Sequence, residues 1–174
     1  MTLAVAFTHK RRRYLAADRC LIASHELLLV RSKIWCPYPG VAMTFAGDAS
    51  LYVKLVRKAQ IPELVLPEQV DELWVSAHLI EPLISEDEKA EGDILVVTQY
   101  RTILGDTSGF VAELTQPFSA IGAGASYARG FYSRSRLTDP ERFCTSLFRE
   151  ISREVAGVSE EFQLLDLSGQ CSKP

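Results

Sequence analysis

The segments Thr2-Leu3-Ala4-Val5-Ala6-Phe7 and Tyr14-Leu15-Ala16-Ala17-Asp18, with Lys10-Arg11-Arg12-Arg13 between them, read as a β-hairpin. Each apolar run is short, and the charged residues sit where the chain has to turn. A solvated turn is the plainer reading of that basic run than a nucleic-acid contact. Strands follow at Cys20 to Ala23, Leu27 to Val30 and Gly40 to Ala46, where Val41-Ala42-Met43-Thr44-Phe45 leads to Gly47.

Beyond Gly47 the period changes. Leu51, Leu55 and Val56 recur at helical spacing with Lys54, Arg57 and Lys58 outside, and Asp48 or Ser50 is placed to cap the helix. Pro62 and Pro67 break the chain. The second proline is expected to open a helix from Glu68 to about Ile80, with Val70, Leu73, Trp74 and Ala77 on its inner face. An acidic loop from Glu81 to Asp93 comes next. Strands are then expected at Ile94 to Tyr100, Arg101 to Leu104, Phe110 to Leu114 and Phe118 to Ile121, with turns at Gly105-Asp106 and Ser108-Gly109. Thr138-Asp139-Pro140-Glu141 opens the last helix, which runs to about Val155, and Phe162 to Leu167 is a final strand. Two stacked sheets with helices packed outside them account for this order.

The chain has 174 residues, 47% of them hydrophobic and 24% charged, which fits one globular domain over residues 1–174. At this length roughly 70% of the unfolded surface can be buried, so no disulfide or structural metal is needed. Cys20, Cys36, Cys144 and Cys171 form no C-x-x-C pair, and His9, His25 and His78 are isolated. No metal site and no cofactor is therefore expected. The basic run arrives too early for a signal peptide, and no apolar run approaches the ~20 residues of a membrane span. A cytoplasmic protein with no membrane contact is expected. The net charge of −3 argues against nucleic acid as a partner.

Thr2 is the most informative residue for chemistry. Were Met1 removed, one amino acid would offer both a hydroxyl nucleophile and an α-amine, of unperturbed pKa ~7.7–8.0, to take its proton. A nearby cation would hold that amine neutral. Lys33 is a candidate for the cation, with Asp18 pairing it and keeping it charged.

These residues resemble those of proteasome β-subunits and the bacterial HslV-type peptidase, both N-terminal nucleophile hydrolases. The likeness spans most of the chain. Thr2 with its apolar strand, and Tyr14-Leu15-Ala16-Ala17-Asp18, resemble the nucleophile strand and the A-A-D strand, in the family's spacing. Arg31-Ser32-Lys33-Ile34 is similar to the lysine strand, and Thr44-Phe45-Ala46-Gly47-Asp48-Ala49 to the turn leading into the first helix. Ile121-Gly122-Ala123-Gly124-Ala125-Ser126-Tyr127-Ala128 resembles the I-G-S-G-x-x-Y-A segment.

The resemblance implies an α+β fold, a four-layer αββα sandwich of two antiparallel sheets flanked by helices. It implies Thr2 as nucleophile, Asp18 and Lys33 as tuners of its amine, Gly47 as oxyanion donor, and Cys20, Phe45 and Ala49 as pocket residues. It also implies homo-oligomeric rings enclosing the sites and unfolded polypeptides delivered by a AAA+ unfoldase. Two positions depart from the pattern: Ala123 replaces the family serine, and Val158 stands where the aspartate of a later Asp-x-x-Ser is expected. Ser126 or Ser159 could substitute. Those departures define the alternative, a catalytically weak or inactive subunit that keeps the fold for assembly. An amidase of the same superfamily is a third reading.

Overall fold

The computed structural model describes residues 2–23, 26–30, 32–48, 53–55, 57, 59, 61–84 and 91–168, with residues 21–23 and 26–29 described through their backbone. The strands are β1 (Leu3–His9), β2 (Arg12–Asp18), β3 (Cys20–Ala23), β4 (Glu26–Leu29), β5 (Trp35–Tyr38), β6 (Val41–Gly47), β7 (Gly92–Thr98), β8 (Thr102–Asp106), β9 (Val111–Glu113), β10 (Phe118–Gly122) and β11 (Phe162–Asp166). The helices are α1 (Glu72–Val75), a π-helical turn (Ser76–Ile80), α2 (Glu81–Ile84), α3 (Ala125–Arg134) and α4 (Pro140–Glu154).

The opening hairpin forms as expected, antiparallel from Ala4↔Ala17 to His9↔Arg12. Lys10 (φ 48°) and Arg11 (φ 65°) both take left-handed backbone, the conformation that a two-residue type I′ turn demands. Arg12 bonds Asp166 and Arg13 bonds Thr102 Oγ1, so part of the basic run is tied to the protein's own strands.

One sheet runs β10-β1-β2-β11 and the other β5-β6-β7-β8-β9, with β3-β4 as a separate hairpin; every pairing is antiparallel. Side-chain alternation builds the layers. Leu3, Val5 and Phe7 point into a cluster with Phe131, Phe143, Leu147 and Phe148 of α3 and α4, while Ala4 and Ala6 point to the opposite face. On the second sheet Val41, Met43 and Phe45 pack with Val75, Leu79 and Ile80. Ala42 and Ala46 meet Ala4, Ala6 and Ala17 between the sheets. The chain is thus an α+β, four-layer αββα sandwich. Helix α4 shows how the sequence drives this. Phe143, Cys144, Leu147, Phe148 and Ile151 are all buried on one face, worth ~1.5–3 kcal/mol for each large apolar side chain removed from water. Asp139 caps it by accepting from Arg142 N, and Pro140 opens it.

Three expectations need correcting. The helix expected from Glu68 begins at Glu72, because Pro67–Gln69 forms a 3₁₀ turn and Asp71 caps the helix by accepting from Trp74 N at 2.8 Å. It continues to Ile84, past the expected start of the acidic loop. Its inner face differs too. Val70 and Trp74 are buried, but Leu73 is 79% exposed and Ala77 is also exposed. Val75 is buried beside Trp74 before the π turn, and the wider π turn then places Leu79, Ile80 and Leu83 in the core. β5 was not among the expected strands; it carries Pro37, which cannot donate to a ladder, and lies at the sheet edge, where proline is tolerated. Residues 53–55 and 57 are helical, while Ser50 and residues 85–90 of the acidic loop lie outside the described residues.

Candidate active site

The site forms where β1 begins and β2 ends. Antiparallel pairing sets Leu3 beside the last residues of β2, and Leu3 N donates to Asp18 Oδ1 at 3.2 Å. Ser159 N, in the segment leading into β11, donates to Asp18 Oδ2 at 3.3 Å. The Lys33 ammonium then bridges two acceptors: Asp18 Oδ1 at 2.7 Å and Thr2 Oγ1 at 2.7 Å. The exposures of Thr2, Asp18 and Lys33 are 1%, 0% and 1%. Three residues separated along the sequence therefore share one desolvated cluster. Lys33 itself is not in a strand, contrary to expectation; it occupies a bend just before β5.

Burial dominates the electrostatics. It pushes the Lys33 ammonium below its usual range, against the pull of the Asp18 carboxylate. It pushes the Asp18 carboxyl up, opposed by Lys33 and by the Leu3 and Ser159 N–H groups. Lys33 donates a hydrogen bond to a Thr2 oxygen lone pair, so the threonine's own O–H is left to point elsewhere.

Two glycines shape the ground around Thr2. A Cβ on Gly122, at φ 91°, would stand 2.0 Å from the Thr2 carbonyl oxygen and 3.2 Å from Ala46 Cβ. The Ala46-Gly47 end of β6 consequently abuts the Thr2 corner across the sheet interface. Gly47 has φ 141° and is exposed, and a Cβ there would lie 2.3 Å from the Glu91 carbonyl oxygen. Only glycine fits either position.

Of the expected pocket residues, Cys20 is fully buried and lies close enough to feel both Asp18 and Lys33; burial, then Asp18, raises its thiol. Phe45 is 1% exposed within the cluster on the helix side of its sheet. Ala49 lies outside the described residues. Ala123 is exposed, and Val158 is a buried member of the cluster under α4. Sequence reasoning missed Gln163, whose Oε1 accepts from Lys33 N at 3.1 Å. The only signal was a polar residue interrupting the apolar strand Phe162-Gln163-Leu164-Leu165.

No family model matches the sequence, and no curated protein matches it. Solved structures do. The chain is similar to Thiobacillus denitrificans BPH in complex with epoxomicin, with a TM-score of 0.71 at 18% identity over 96% of this chain and 100% of that one. It is similar to eukaryotic HslV from Trypanosoma brucei, with a TM-score of 0.68 at 15% identity over 94% and 98%. It is also similar to the Anbu complex from Pseudomonas aeruginosa, described as a helical assembly, with a TM-score of 0.70 at 15% identity over 94% and 80%. The chain has the proteasome-type N-terminal nucleophile hydrolase fold. Among the described residues no helix is long and apolar enough to cross a membrane.

Proposed function

We propose that the chain is a threonine-type endopeptidase subunit, active once Met1 is removed. One observation carries this reading: the buried Lys33 ammonium, 2.7 Å from both Thr2 Oγ1 and Asp18 Oδ1. A structural ion pair has no need of a threonine hydroxyl as its second acceptor. In the proposed reaction Thr2 Oγ attacks the peptide carbonyl carbon while its proton passes to the α-amine. Collapse of the tetrahedral intermediate breaks the C–N bond, and the amine returns the proton to the leaving group. Water then cleaves the ester by the same route, regenerating Thr2. The Gly47 N–H is the proposed oxyanion donor; donors of this kind are worth ~3–4 kcal/mol in acyl transfer. Cys20, Phe45 and Ala49 are the proposed pocket residues, with Phe45 sealing its floor.

Assembly into homo-oligomeric rings, unfolded polypeptide substrates, a AAA+ unfoldase partner and a cytoplasmic setting belong to the same proposal. The likeness to HslV and to the Anbu assembly supports oligomerisation. The alternative, an inactive assembly subunit, is favoured by Val158, which packs in the apolar core where the family has an aspartate.

Intact mass of the purified protein and labelling with epoxomicin separate the two. The expected result is a species one methionine lighter that gains the inhibitor's mass on Thr2 and loses that labelling in Thr2→Ala. Retained Met1 with no labelling would establish the assembly reading instead.

A further inference from the structure

β11 presents Phe162 and Leu164 to the helix-side cluster and Leu165 to the layer between the sheets. Strand alternation therefore turns Gln163 toward the inter-sheet side, where an apolar residue would otherwise pack. It pairs with Ala17, adjacent to Asp18. Its Oε1 accepts from the backbone N–H of Lys33 at 3.1 Å, and since that donor can only donate, the amide oxygen must face it. Among the described residues, the other hydrogen bonds of the Lys33 bend's backbone are local. Ser32 Oγ donates to Ile34 O and accepts from Ile34 N, which shapes the bend locally but fixes it to no neighbouring strand.

We infer that Gln163 is a positioning residue, holding the Lys33 backbone so that its ammonium reaches Thr2 and Asp18. Resting on the peptidase reading above, this makes β11 the support of the whole cluster. The segment entering the strand contributes the Ser159 N–H to Asp18, and its second residue contributes the Gln163 carbonyl to Lys33. Both contacts act on the two residues whose charges meet beside Thr2. A buried side chain that loses its anchor drifts by fractions of an ångström, enough to degrade a reaction that needs the ammonium at one oxygen.

The test uses the full chain with Met1 removed and the kinetics of epoxomicin inactivation, which separate binding (KI) from the chemical step (kinact). Gln163→Met, similar in shape but without the acceptor, is expected to lower kinact roughly tenfold or more while KI stays within about threefold. Gln163→Glu, which keeps the acceptor, is expected to restore most of the rate. A second readout needs no activity: hydrogen exchange at the Lys33 amide should accelerate in Gln163→Met and not in Gln163→Glu. Gln163→Asn, one methylene too short, should behave as the methionine variant and serves if that variant fails to fold. Unchanged kinact and Lys33 exchange in Gln163→Met, or a glutamate variant no better than methionine, would overturn the inference. Absence of labelling in the unsubstituted protein would instead refute the peptidase reading, leaving the exchange measurement to judge Gln163 alone.

Discussion

Removing either half of the Lys33–Asp18 pair should destabilise the protein, and the two losses should depend on pH with opposite sign. Both side chains are at most 1% exposed and their charged atoms lie 2.7 Å apart, so neither charge has solvent to fall back on. Breaking a buried pair by removing one partner costs ~3–5 kcal/mol, because the survivor is stranded. For a chain of this length each kcal/mol is worth roughly 2–4 °C in Tm, which gives a loss of about 6–20 °C. In Lys33→Met the Asp18 carboxyl keeps its burial and loses its counter-charge, so its folded pKa rises further above the unfolded ~3.9. The folded state then holds a proton that the unfolded chain releases. Stability falls as pH rises from about 4 through that raised value, and the variant recovers in acid. In Asp18→Asn the stranded group is the Lys33 ammonium, whose folded pKa lies below the unfolded ~10.4. Stability is lost as pH falls through the depressed value, and this variant recovers in alkali. The double variant should lose less than the sum of the singles and show little of either slope. Urea unfolding of all four proteins at pH 5, 7 and 9 reads this directly. Single losses below about 1 kcal/mol, as for an exposed pair, or pH slopes of the same sign, would refute the reasoning.

Other outcomes follow from the same geometry. Peptide cleavage should have an alkaline limb below pH 10.5, because burial lowers the pKa of Lys33, and a pH–rate profile in which the limb disappears in Lys33→Met would assign it. Gly122→Ala should cost ~1–3 kcal/mol from its φ of 91° alone, and the Cβ 2.0 Å from the Thr2 carbonyl should also displace the start of β1; denaturant unfolding and epoxomicin labelling measure the two effects. Val158→Asp, which puts the family's aspartate back, should lower Tm rather than improve the site. The side chain is 6% exposed among apolar neighbours, the new carboxyl's folded pKa will be raised, and the loss should be larger at pH 8 than at pH 4 in thermal melts.

Much of this was legible in the sequence because it is written in residue type. The run of apolar residues around a basic turn gives β1 and β2, the cap and proline at Asp139-Pro140 give α4, and the likeness of the Thr2, Asp18 and Lys33 segments to a family pattern singles out the three residues of the cluster. What failed was local geometry that residue type encodes weakly. Ser32 bonds the backbone of Ile34 on both sides, an alternative to ladder pairing that puts Lys33 in a bend instead of a strand. A count at 3.6 residues per turn from Val70 assigns Leu73 to the core, but the helix begins only at Glu72 and turns Leu73 to solvent; the π turn at Ser76–Ile80 then displaces the inward positions after it, so Ala77 is exposed while Leu79 and Ile80 are buried.

The supporting contacts were harder still to read, for a reason that bears on function. Among the described residues Asp18 bonds one side chain, that of Lys33, and two backbone amides, Leu3 N and Ser159 N. Lys33 N meets a glutamine 130 residues further on. Backbone donors carry no signature in the sequence, and a side chain that binds a backbone group can change type without its partner changing. Val158 in place of the family aspartate, which favours the inactive reading, leaves the contacts of Asp18 and Lys33 in place. The carboxylate it would have supplied is absent, but the Asp18 charge is held by amides that any residue at positions 3 and 159 except proline would provide. Beyond the Lys33 contacts to Asp18 and Thr2, the supporting contact that does require a particular side chain is the Gln163 oxygen on Lys33 N, which is why the substitutions at Gln163 test the cluster more directly than restoring either altered family position.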